Sequence, residues 1–253
     1  TDGKDRIVLR DFVADQIVLG GTPTDLIIYL PDGGQIVVQD HRVTGTETQI
    51  EEIIFADGSF WNEAAISARL LQDMRTNGEV LGTPNTDVFT HTQGDGSYSI
   101  NDSGDPYKTD RLVFTDVASD EVGVAVEGND FVLTLPNDEI IRLSEMAEGT
   151  YAYWGVRYVD FSDNVTLERV DLASLAVEAQ KTAGLAVIEG TARTSETYTH
   201  TLGDGSYTIN DYGDPYKADR LVLTDVASDV LGVVVDGNDF VLTLPNGETI
   251  RLA

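Results

Sequence analysis

The chain has 253 residues, with 44 acidic against 16 basic side chains, a formal charge of −28 and no cysteine. That charge repels nucleic acid and anionic membranes, because the phosphate attraction behind nucleic-acid binding has the wrong sign here. The missing thiols exclude disulfides, thiolate metal sites and cysteine nucleophiles, and no apolar run approaches the ~18 residues of a membrane span. Lack of cysteine suits the cytosol, and equally suits proteins exported unfolded.

In chain order, TDGKDRIVLRDF opens without Met and without a basic stretch followed by an apolar core, so no N-terminal export signal is expected. DRIVL, Asp5–Leu9, reads as a strand, and TDLIIYLPDGGQIVV, Thr24–Val38, as a strand pair. IEEIIFADGSFW, Ile50–Trp61, reads as a hairpin. A helix then follows over EAAISARLLQDM, capped by Asn62, with Ile66 and Leu70 one turn apart. A Gly/Asp stretch begins at His91, and VGVAVEGNDFVLTLPNDEIIRL then predicts a three-stranded antiparallel meander. Gly128-Asn129 supplies its tight turn, and Pro136 ends its middle strand. A second bridge, VRYVDFSDNVTL, leads into a second helix that uses Leu172, Leu175 and Ala179.

The chain then repeats itself. His91–Leu143 aligns without gaps on His200–Leu252, and 42 of the 53 pairs are identical. A weaker match at a spacing of 105 joins Thr24–Val38 to Asn129–Leu143. The unit is about 107 residues, the size of a small domain rather than of a solenoid repeat. The expected fold is mainly β: two tandem β-sandwich-like modules, each with one short helix. The expected division is 1–143, a first module with an extra N-terminal strand block, and 144–253, a second module; a cut near Gly82 and Gly190 is the alternative.

Chemistry concentrates in the Gly/Asp stretch. GDGSYSINDSGDPYKTD carries Asp95, Asp102, Asp105 and Asp110, and its copy carries Asp204, Asp211, Asp214 and Asp219. Calcium takes six to eight hard oxygens, and glycines let backbone carbonyls converge on it. Asp, Asn and Gly are also turn formers; two near-identical copies in so acidic a chain favour calcium. The repeated G-D-P-Y-K offers Tyr107 with Lys108 and Tyr216 with Lys217, a flat ring for a sugar face and a cation for a uronate. A turn with Pro at its second position reads the same residues equally well. YAYWGVRYVDF adds Tyr151 and Trp154 as carbohydrate-contact candidates, although aromatics at strand spacing more often pack. No enzyme is expected. The motifs G-x-S-x-G, H-E-x-x-H and the P-loop are absent, and His91 and His200 share one T-H-T context while His41 stands apart.

The order GDGSYTI, DRLVL, GNDFVLTLPNGETI and IEEIIFADGSFW resembles the haemolysin-type (RTX) calcium-binding family over most of the chain, with FADGSFW the more specific element. That family's nonapeptide, G-G-x-G-x-D-x-U-x, uses its Asp as a calcium ligand. Here Tyr98 and Tyr207 stand at that position, and each unit has a single such element. A regular calcium-filled β-roll is therefore not expected, and an ion is expected between loops. Two ~107-residue units, no cysteine and extreme acidity are most similar to the Rhizobium-adhering (Rap) proteins, which have cadherin-like domains. That resemblance implies an extracellular calcium-dependent lectin or adhesin for acidic exopolysaccharide in the biofilm matrix. Export by a type I system and a monomeric state are the accompanying expectations. A structural fragment of a larger RTX-type secreted protein and a polysaccharide-modifying enzyme are the alternatives.

Overall fold

The computed structural model describes residues 4–43, 45, 48–102, 109–147, 155–191, 194–211 and 218–253. The chain opens with β1 (Arg6–Val8) and a first strand block, β2 (Val18–Gly21), β3 (Leu26–Tyr29) and β4 (Gln35–Val38). A bridge follows: β5 (Glu52–Ile54), β6 (Phe60–Asn62) and α1 (Glu63–Thr76). Next come β7 (Glu79–Leu81), β8 (Val88–His91), β9 (Tyr98–Asn101) and β10 (Arg111–Phe114). The second block is β11 (Gly123–Glu127), β12 (Asp130–Thr134) and β13 (Ile140–Leu143). A second bridge repeats the first, with β14 (Tyr158–Asp160), β15 (Thr166–Glu168) and α2 (Arg169–Thr182). After it come β16 (Val187–Glu189), β17 (Thr197–His200), β18 (Tyr207–Asn210) and β19 (Arg220–Leu223). The third block is β20 (Gly232–Asp236), β21 (Asp239–Thr243) and β22 (Thr249–Leu252).

The fold is mainly β with two helices, as the alternating apolar runs require. Gly128 takes φ +62° in the two-residue turn that pairs Glu127 with Asp130, a conformation glycine adopts without a Cβ penalty. The meander β11–β12–β13 is antiparallel. It is then widened by parallel strands into the order β11–β12–β13–β9–β7, and its copy runs β20–β21–β22–β18–β16. A second sheet joins β8, β10, β14 and β15, the first three parallel to one another. No helix among the described residues is long and apolar enough to cross a membrane.

The bridging helices hold successive copies together. Asn62 Oδ1 accepts the Ala65 N–H at 2.9 Å and so caps α1, which buries Ile66, Leu70 and Met74. In α2 the buried stripe is Leu172, Ala173, Ala176 and Val177. Leu175 and Ala179, expected on that stripe, are exposed instead. The cause is the wedge position of α2. Leu172, Ala173 and Ala176 enter a core cluster that begins at Leu9, while Val177 enters the cluster that continues to Ile250. The two alanines let the helix lie close on β11. The larger cluster runs continuously past residue 143.

Truncating Leu172 to Ala should lower unfolding free energy by about 2–5 kcal/mol, because a fully buried leucine leaves a cavity. The same truncation at Leu175 should cost less than about 0.5 kcal/mol. Urea melts of the two variants decide which face of α2 is packed.

Candidate metal centre

The Gly/Asp stretch divides into two halves with different partners. In the first half, Gly94 and Gly96 take φ of +103° and +87°, which aims their N–H groups at one carboxylate. Glu139 accepts the Gly94 N–H at 3.1 Å and the Gly96 N–H at 2.8 Å. Its Oε2 lies 3.3 Å from His91 Nε2, and His91 Nδ1 lies 3.1 Å from the Tyr98 hydroxyl. Burial pushes the pKa of His91 down, against the opposing charges of Glu139 and Asp95. The second copy rebuilds the arrangement with Gly203, Gly205, Glu248, His200 and Tyr207. These glycines therefore form a backbone nest for an internal anion.

Asp95 belongs to this half. It accepts the Thr92 N–H at 3.1 Å and pairs with Arg75 at 2.7 Å. Asp204 accepts the Thr201 N–H and pairs with Lys181, both at 2.9 Å. Arg75 and Lys181 stand in the last turns of α1 and α2, so these two carboxylates tie the glycine loops to the bridges. Among the described residues, neither joins the other acidic residues of its stretch. His41, outside both copies, accepts the Ile50 N–H at 3.0 Å through Nδ1.

The second half brings Asp102 and Asp110 together. Asp102 follows the end of β9 and Asp110 precedes the start of β10, and both are buried. A third carboxylate, Asp87, precedes β8, which runs parallel to β10. One oxygen from each of Asp87, Asp102 and Asp110 lies within 4.8 Å of the others. The copy assembles Glu196, Asp211 and Asp219 under the same limit. The backbone wiring is shared. Asp110 Oδ1 accepts the Asp87 N–H at 2.7 Å, and Asp219 Oδ1 accepts the Glu196 N–H at 3.0 Å. Thr83 donates its N–H to Asp87 at 2.6 Å, and Thr191 donates to Glu196 at 3.0 Å. Gly82 and Gly190 form the floor. A Cβ on Gly82 would collide with the Asp102 carboxylate, and one on Gly190 would come within 2.8 Å of Asp211 Cγ.

Asp87 and Glu196 are absent from the residues the sequence suggested. The signal was there: each lies four residues before the duplicated histidine, at His91 and His200, and each is acidic. Asp105, Asp214, Tyr107, Lys108, Tyr216, Lys217, Tyr151 and Trp154 lie outside the described residues.

Burial and like charge weigh on the carboxylates of both clusters. Burial, first, and the neighbouring Asp110 charge push the pKa of Asp87 up, against Thr83 hydrogen bonds and Arg42. Glu196 is only 1% exposed, and its Oε2 has no hydrogen-bond partner among the described residues. Burial, with the charge of Asp211 adding to it, raises the Glu196 pKa to about 7. Three hard oxygens and a threonine hydroxyl next to each set match the donors that calcium takes. The residues present therefore fit the ion.

Residues 25–65 match the Haemolysin-type calcium binding protein related domain. The match covers β3, β4, the β5–β6 hairpin and the first turn of α1. No curated protein matches the chain. Among solved structures, the extracellular lipase LipA from Serratia marcescens is similar at 15% identity, over 70% of this chain and 36% of the lipase, with a TM-score of 0.19. The chain thus spans about a third of that lipase's length, and a likeness at this TM-score carries no argument.

Because the folded state holds the Glu196 proton more tightly than the unfolded chain, ion-free protein should lose stability as pH rises from 4.5 through about 7. Glu196→Gln should flatten that slope. Thermal melts in chelator across this range give the test, and equal slopes for both proteins would refute the assignment.

Proposed function

We propose that this protein is a secreted, calcium-dependent lectin-like adhesin, a monomer that binds acidic exopolysaccharide in a biofilm matrix without modifying it. The duplicated three-carboxylate cluster carries this reading. Asp87, Asp102 and Asp110 would hold one ion, and Glu196, Asp211 and Asp219 a second. Calcium-binding relatedness over residues 25–65 supports the choice of ion. Secretion is supported by the same relatedness and by a chain without cysteine.

The chain's charge of −28 opposes any direct approach of a polyanion. Bound calcium supplies positive charge that lets carboxylates of protein and polymer share one site. The chain's own part is positional. Asp102 and Asp110 flank residues 103–109 in sequence, and Asp211 and Asp219 flank residues 212–218. Those segments carry Tyr107 with Lys108 and Tyr216 with Lys217, our candidates for the sugar face and its carboxylate. Tyr151 and Trp154 are held as further candidates for stacking.

Two measurements test the proposal. Calorimetric titration should give calcium affinities on the order of 10⁻⁴–10⁻³ M, the range of extracellular modules. Asp211→Asn with Asp219→Asn should remove one of the two sites. On an array of acidic polysaccharides, protein should be retained in calcium and released by chelator. Equal retention with and without chelator would sink the lectin reading, and any shortening of the polymer would replace it with an enzyme.

A further inference from the structure

Helix α1 and strands β7 and β8 line a cavity of about 320 Å³, and every residue around it lies between positions 41 and 89. That volume stands at the lower end of the range of small-molecule sites, enough for one compact molecule. Its apolar wall includes Ile66 and Leu70 of α1, Val80 of β7 and Phe89 of β8, all buried. The rest of the lining includes His41, Arg42, Glu63 and Asp87.

These polar groups keep hydrogen-bonding capacity in hand. His41 is 9% exposed, and its Nδ1 accepts the Ile50 N–H at 3.0 Å. Burial, first, and the Arg42 charge push its pKa down, against Glu63 and Glu51. The ring is therefore neutral and carries its hydrogen on Nε2. Among the described residues nothing accepts from that Nε2. Arg42 donates to the carbonyls of Thr22 and Leu81, which uses only part of its fork of N–H groups. Glu63 stands exposed in the first turn of α1. Asp87 belongs to the first carboxylate cluster as well, so cavity and cluster share a wall.

The second copy fills the same places differently. The Arg42 N–H bonds the Thr24 carbonyl as the Ala147 N–H bonds the Asn129 carbonyl, which sets His41 and Arg42 opposite Met146 and Ala147. Met146 and Ala147 are each 2% exposed. The two helices have equal length, and they set Glu63 opposite Arg169 and Ser67 opposite Ala173. The repeat thus closes this corner with a methionine and an alanine where it needs packing alone. An imidazole and a guanidinium cost more to bury there, so their presence in the first copy answers something besides the fold.

We propose that this cavity is a subsite for one uncharged pyranose unit of the polysaccharide, an inference that rests on the carbohydrate-binding function proposed above. Ring hydroxyls accept from His41 Nε2 and Arg42 and donate to the Glu63 carboxylate, and the C–H face of the ring lies on Ile66, Leu70 and Phe89. A wholly apolar ligand would leave the polar groups unpaired, and a small inorganic ion would leave the apolar wall wet. Charge selects a neutral unit: Glu63 and Asp87 outweigh Arg42 in the lining, and the whole chain carries −28. Because Asp87 serves both places, a polymer whose acidic unit meets an ion at the cluster brings a neighbouring unit to the cavity.

The probes are the methyl glycosides of glucose, galactose and mannose, titrated into the full chain while the histidine ring signals are followed by NMR. The chain has three histidines and the other two are 0% exposed, so His41 reports on the cavity. At least one glycoside should shift that signal with Kd on the order of millimolar, the affinity open to so small a ligand. Glucuronate should bind at least about tenfold more weakly, because like charge opposes it. Ser67→Trp, at an exposed position of α1 on the cavity, should fill the space and abolish the shift with unchanged circular dichroism. Glu63→Ala should weaken binding about tenfold or more through the lost acceptor. No shift with any glycoside would overturn the proposal, as would a shift that both variants leave intact, or glucuronate binding more tightly than every neutral glycoside. Polymer retained in calcium by a chain that takes no glycoside defeats this subsite alone. Glycosides bound by a chain that retains no polymer keep the subsite and defeat the exopolysaccharide reading.

Discussion

Three carboxylates converge at the ends of three strands, twice, and this arrangement constrains everything around it. Two full charges at such separations repel by about 3–4 kcal/mol per pair at an effective dielectric near 20. Hydrogen bonds from the N–H groups of residues 83 and 87, and of 191 and 196, offset part of that cost. The remainder must be met by a proton or a cation. The two copies meet it differently. Arg42 lies close enough to act on Asp87, and Glu196 is driven toward its protonated form. Burial favours the protonated form of Asp87 and of Glu196 alike, and a divalent cation would serve both clusters while answering the buried Glu196 Oε2. Gly82 and Gly190 follow from the same constraint, because a side chain there would press on the carboxylate that the site needs.

The glycine motif just upstream serves the opposite charge logic. Gly94 and Gly96 point their N–H groups at Glu139, so the motif binds an anion supplied by the protein itself. His91, fully buried, connects that carboxylate to Tyr98 and lies edge-on to Phe114. The nest therefore fixes the start of β13 to the β8–β9 loop. Tyr98, whose hydroxyl lies 3.1 Å from His91 Nδ1, completes this internal arrangement. Two stretches of similar composition, side by side, hold opposite partners.

Local encoding decided what could be read from sequence. The Gly128 turn, the Asn62 cap and the meander strands are set by neighbours a few residues away, and the sequence patterns locate them well. Asp102 and Asp110 were visible because they sit in the duplicated stretch. Asp87 was not, because it reaches them only through the parallel pairing of β8 with β10, which no short pattern announces. Asp95 looked the same as Asp102 in sequence, and only the placement of Arg75 on α1 separates their roles. The face of α2 was misread for a related reason. A helix packed on one core shows a single stripe, whereas α2 serves two, and small alanines at Ala173 and Ala176 carry little hydrophobic signal.

The seam between copies and the carboxylate cluster share one residue. The Asp110 backbone oxygen accepts the N–H groups of Arg157 and Tyr158 at 2.8 and 3.2 Å, so the bridge strand is anchored on a residue of the cluster. Its counterpart Asp219 is exposed. With the acidic cluster at the strand end rather than in a remote loop, one residue, Asp110, serves the charge site through its side chain and the joint between units through its backbone oxygen.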